Sequence, residues 1–148
     1  ILLGIVVPTY FNIRVSALIT RDKTAVKNLE LAFRSYLEYY RKWPDAFKGG
    51  PKKIDQPVID LLQPTDKEIM FYEFNDRTNA YDSFGRYTMD KQPPVDINYY
   101  FMVDEDYDNT IVSPAGTVHK PVIVWSVGTN RWPQEPEIIK GGYIKSWD

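Results

Sequence analysis

Cysteine is absent from this chain of 148 residues, and histidine occurs once. No disulfide or thiolate site is therefore open to it. The single histidine, His119, stands beside Lys120 and Pro121 and reads as an exposed turn residue rather than a base. HExxH, GxSxG and glycine-rich phosphate loops are all missing. No apolar run reaches the roughly 20 residues that span a bilayer. Basic residues are too few and too mixed with acidic ones for a nucleic-acid footprint. The carboxylate pairs of a glycoside hydrolase are not recognisable from spacing, since they meet only in the fold. These absences leave no positive support for an enzyme. Proline is scarce at the start: of the 11, only Pro8 comes before residue 44.

That proline-poor start carries the strongest pattern. Residues 1–11 are almost wholly apolar: Ile1, Leu2, Leu3, Ile5, Val6, Val7, Tyr10 and Phe11. From residue 12 the pattern becomes amphipathic. Val15, Leu18, Asp22, Ala25, Val26, Leu29, Ala32, Phe33, Tyr36, Leu37 and Tyr40 recur at spacings of three and four, with Asp22 the one polar member of the stripe. Arg14, Arg21, Lys27, Glu30, Arg34, Glu38 and Arg41 fall largely off it, and Glu30–Arg34 and Arg34–Glu38 have the spacing of supporting pairs. The spacing predicts one long helix over residues 1–42. Pro8, whose ring opposes the carbonyl of Gly4, predicts a kink or a melted turn there. The pattern leaves a second reading of residues 1–7 open, a buried strand ending at Pro8.

Such a helix is about 60 Å long. The rest of the chain, if compact, is roughly 35 Å across. The overhanging end is apolar and needs cover from a bilayer or from copies of itself. Charge divides along the same boundary. Residues 1–42 carry seven Lys/Arg against three Asp/Glu, hence +4, and the remainder eleven against seventeen, hence −6. The usual meaning of such a division is a solvated face; a sharper one is complementary attraction between the head of one copy and the helix of the next, which weakens in salt.

Beyond residue 43 prolines and turn residues multiply, which predicts a loop-rich head. Trp43 and Pro44 end the helix. Residues 48–53 read as a basic loop, 57–62 as a short helix with proline in its first turn, and 64–67 as a turn. Strands are expected at 69–74, 98–103, 120–126 and 141–147, with 120–126 central because it is apolar on both faces. A helix followed by strands predicts an α+β fold, the helix laid on a small antiparallel sheet. Tyr36, Tyr39, Tyr40 and Trp43 are expected to pin the helix to that sheet.

A short apolar start, a proline, and a basic amphipathic helix closing from Tyr36 to Pro44 as YLEYYRKWP resemble the stalk of type IV pilins and type II secretion pseudopilins. Residues 25–32 (AVKNLELA) are among the more specific parts of that likeness. Asp82, Phe84, Gly85 and Tyr87 resemble the family's Asp-x-aromatic-Gly-x-x-Tyr signature, with the tyrosine one place early. Ser126 with Gly128, and Ile144 with Ser146 and Trp147, resemble its closing pair of strands. The resemblance implies a pilin-like α+β fold, with a stalk over 1–13, an amphipathic part over 14–43 and a head over 44–148. It implies a structural, non-catalytic subunit that leaves the bacterial inner membrane with the help of an assembly machinery. The product is a helical filament of identical subunits, extracellular or periplasmic. Ile1, Leu2, Leu3, Gly4, Ile5, Val6, Val7, Pro8, Tyr10, Phe11, Val15 and Leu18 are then the assembly residues. Family members carry a glutamate near the mature N-terminus. No residue here corresponds to it, so Ile1 is expected to lie inside the apolar segment. The competing expectation is a soluble α+β module that binds carbohydrate or protein through exposed aromatics such as Trp132.

No cofactor is expected, with one possible exception. Asp104, Asp106 and Asp108 alternate and can point oxygens at a hard cation such as calcium. An EF-hand would need glycine and glutamate where Asn109 and Ala115 stand, so that reading fails. Major pseudopilins commonly hold calcium between their last two strands. Here Asn130 and Tyr143 replace the expected aspartates, and Glu135 and Glu137 are off-register, so the resemblance does not carry that site over.

Overall fold

The apolar stripe becomes the buried face of α1, a helix over Leu2–Tyr40 in the computed structural model. The structure describes residues 2–66, 69–74, 99–126 and 144–148, with side chains from residue 16 onward. Val26, Leu29, Ala32, Phe33 and Tyr36 are buried, and Leu18, Ala25, Leu37 and Tyr40 pack at the margin of the same core. The helix ends because Arg41 turns left-handed, at φ 62°, and its N–H donates to the carbonyl of Leu37 at 2.7 Å. This is the single-bond cap usually built with glycine. A 3-10 turn over Asp45–Phe47 follows, then β1 (Lys52–Lys53) and α2 (Gln56–Leu62), which carries its proline in the first turn.

The main sheet contains β1, β2 (Tyr100–Val103), β5 (Val122–Ser126) and β6 (Ile144–Lys145) in the order β1-β2-β5-β6, every pair antiparallel. Between β2 and β5 the chain makes a separate hairpin, β3 (Ile111–Ser113) with β4 (Gly116–Val118). Gly116, at φ 115°, takes a backbone conformation at the hairpin turn that a residue with a Cβ resists.

Strand alternation sorts the sheet into two cores. Tyr99, Phe101, Val103, Val122, Val124 and Ile144 join the core under α1. Tyr100, Ile123 and Trp125 turn to the other face and meet Ile111, Val118 and Trp147. All of β5 is buried because both of its faces are covered. Phe33 binds helix to sheet, stacking on Phe101 at 4.7 Å and meeting Phe47 edge-on at 5.1 Å. The fold is α+β, a long helix against small antiparallel sheets.

Several expectations are corrected. The helix is unbroken through Pro8, so there is no melted turn, and residues 2–7 are helical rather than a strand. One missing N–H removes a single bond from a ladder that continues on both sides. Residues 69–74 are not a strand. Their N–H groups instead meet the end of α2: Phe71 and Tyr72 donate to the Leu62 carbonyl, and Phe74 to the Gln63 side chain. Lys52 and Lys53, read as loop, form an edge strand paired with Phe101 and Tyr100. Glu30 is buried and bonded to Lys120, rather than exposed beside Arg34. The aromatic cluster closing α1 packs on Phe47 and Phe71 more than on the sheet, and Tyr39 is 59% exposed. Ile1, the signature at 82–87, the break at Pro93 and Pro94, the loop at 127–136 with Asn130, Trp132 and Glu135, and beyond it Glu137 and Tyr143 lie outside the described residues.

Candidate functional site

Two features were singled out by sequence: the apolar start of α1 and the acidic turn after β2. Leu2, Leu3, Gly4, Ile5, Val6, Val7, Pro8, Tyr10, Phe11 and Val15 all lie on α1. Among the described side chains, contact between α1 and the head begins at Leu18 and Ile19. About 24 Å of helix precedes Leu18, at 1.5 Å per residue. Leu18 itself is half-buried against the chain's own core.

Two polar bonds fix the helix on the sheet. Asp22, fully buried, accepts the Tyr99 hydroxyl at 2.9 Å. Lys120 Nζ lies 2.9 Å from Glu30 Oε1. The lone polar residue in the apolar stripe was a sequence signal for the first bond. No signal marked the second, because Lys120 is 90 positions away.

The acidic turn follows directly from β2. Asp104 is 4% exposed, while Asp106 and Asp108 are exposed. One carboxylate oxygen from each lies within 4.8 Å of the others, so the structure does bring the three together. Asp104 Oδ2 accepts the Asn109 N–H at 2.6 Å, and Asp108 Oδ1 accepts the Thr110 N–H at 2.8 Å. Tyr107 and Asn109 both take left-handed backbone angles, 61° and 62°, which fold the turn tightly. Burial holds the Asp104 carboxyl above its ordinary range. Hydrogen bonding with Asp106 and the nearby charges of Asp106 and Asp108 push the same way, and the Asn109 N–H pulls back. Asp106 is held below the ordinary range, first by its hydrogen bond with Asp104. The intervening residues do something else. Tyr107 Oη accepts the Trp43 N–H at 2.8 Å, and Glu105 accepts the N–H of Gly49. Sequence reading missed both bonds, which tie the turn to the connector between α1 and β1.

No helix among the described residues is long and apolar enough to cross a membrane. Comparison with protein-family models, with curated proteins and with solved structures gives no match to this chain.

Proposed function

We propose that the chain is a structural, non-catalytic subunit of a helical filament of the pilin or pseudopilin kind, held together by the apolar starts of its helices. The observation that carries this reading is the division of α1. Its described contacts with the head begin at Leu18, and the helix before that point has an almost wholly apolar sequence from Leu2 to Val7, continued by Tyr10 and Phe11. Side chains of that size contribute about 1.5–3 kcal/mol each when buried. Several per copy, buried among sister helices, are enough for a cohesive core. A heterologous contact that does not close repeats into a fibre. Before assembly the same segment rests in the inner membrane, and an assembly machinery extracts it. The filament then stands outside that membrane.

Replacing Val7 and Phe11 together by aspartate tests the reading. Electron microscopy of the variant is expected to show no fibres, while near-UV circular dichroism reports an unchanged head. Fibres of wild-type number and length from the double variant refute it.

A further inference from the structure

Along residues 104–108 the chain alternates between two jobs. Asp104, Asp106 and Asp108 bring carboxylate oxygens together, whereas Glu105 and Tyr107 hold the N–H groups of Gly49 and Trp43. The connector between α1 and β1 is thus bonded to the same five residues that carry the carboxylate cluster.

Three carboxylates alone are only a solvated acidic turn. Asp104 adds an independent feature. Its Oδ1 is buried and meets no N–H or hydroxyl donor among the described residues, although Oδ2 is satisfied by Asn109; it shares a hydrogen bond with Asp106 only while one of the two carboxyls keeps a proton. A buried carboxylate oxygen without a donor is costly. No lysine or arginine among the described residues pairs with any of the three aspartates. A missing positive charge at this point would resolve the orphan oxygen and the mutual repulsion together. Two oxygens bound to one calcium ion at 2.3–2.6 Å are at most about 5 Å apart, which suits this cluster. Magnesium keeps most of its water and takes one or two carboxylates, so three convergent ones favour calcium.

We propose that Asp104, Asp106 and Asp108 bind a divalent cation of the calcium type, and that the bound ion locks the connector after α1 onto the turn that follows β2. The site belongs to the head and holds whether or not the chain forms filaments. It lies after β2, away from the place between the last two strands where the resemblance would put one. With two of its three carboxylates exposed, its affinity falls near the weak range of extracellular calcium modules, a Kd of about 10⁻⁴–10⁻³ M.

The test is calorimetric titration of the whole chain with calcium chloride, and thermal unfolding in calcium against EDTA at matched ionic strength. One saturable calcium per chain is expected. Tm should rise in 10 mM calcium by more than twice the rise in 10 mM magnesium, and the amides of Trp43 and Gly49 should exchange at least tenfold more slowly. The double variant D106N/D108N changes only exposed positions. It should lose at least tenfold in affinity and all of the Tm response, while being no less stable than the wild type in EDTA. Asp104→Asn keeps an acceptor for Asn109 and should likewise abolish the response. The proposal is overturned by any of three results: no saturable binding up to 10 mM calcium, a variant that keeps the wild-type calcium response, or a D106N/D108N chain less stable than the wild type in EDTA.

Discussion

Replacing Lys120 by methionine isolates the contact that sequence reading placed elsewhere. The Glu30 side chain is 6% exposed and that of Lys120 is 35% exposed, at 2.9 Å. Exposed ion pairs contribute about 0–1 kcal/mol. Stripping one partner from a fully buried pair costs about 3–5 kcal/mol, because the other charge is left without water or counter-charge. Here water reaches the ammonium but hardly the carboxylate, so the loss lies between these limits, at about 2 kcal/mol. For a chain of this length that lowers Tm by about 4–8 °C. Urea unfolding followed by tryptophan fluorescence gives the free energies of wild type, Lys120→Met, Glu30→Gln and the double variant. Glu30→Gln should cost less than Lys120→Met, since Lys120 can turn to solvent. The double variant should be no worse than Lys120→Met alone, a coupling of about 1–2 kcal/mol. Arg34→Ala supplies the contrast and should cost about 0.5 kcal/mol or less. A Lys120→Met loss no larger than that of Arg34→Ala refutes the account.

Two further variants examine the helix. Tyr99→Phe removes a donor to buried Asp22 and should cost about 1.5–3 kcal/mol, the range for hydrogen bonds to charged groups, read as a lower urea midpoint. The loss should shrink in an Asp22→Asn background. Arg41→Gly relieves a left-handed arginine worth about 1–2 kcal/mol, against roughly 0.5–1 kcal/mol of extra chain entropy. Thermal unfolding should show a small gain in Tm, and a fall counts against the cap.

The helix and the central strand were legible because each repeats one rule along its length. Stripe residues from Leu18 to Tyr40 are buried or half-buried, and β5 is apolar on both faces because α1 covers one and the β3–β4 hairpin shares the other. Rules of that kind stop at short elements. The strands of the β3–β4 hairpin have three residues each, too few for a period to emerge. Lys52 and Lys53 form a strand only because Phe101 and Tyr100 offer backbone partners, and paired lysines suit an exposed edge. Residues 69–74 carry the composition of a strand, yet the free carbonyl at the end of α2 captures their N–H groups first. The aspartate spacing in the acidic turn was visible in advance. The bonds that Tyr107 and Glu105 accept were not, since their donors lie more than 50 positions away.

Asp22 and Glu30 are eight residues apart on one helix, about 12 Å along its axis. Their partners sit at opposite ends of the β2–β5 pair, Tyr99 just before β2 and Lys120 shortly before β5, whose first residue faces the last of β2. Together the two bonds index the rod against the sheet. Sliding the rod by one turn, about 5.4 Å, would draw two buried acids away from Tyr99 and Lys120 at once. A pull on the end of the rod is therefore met by a pair of ratchet teeth loaded in shear, and the tug passes into the strands instead of drawing the rod out of its seat.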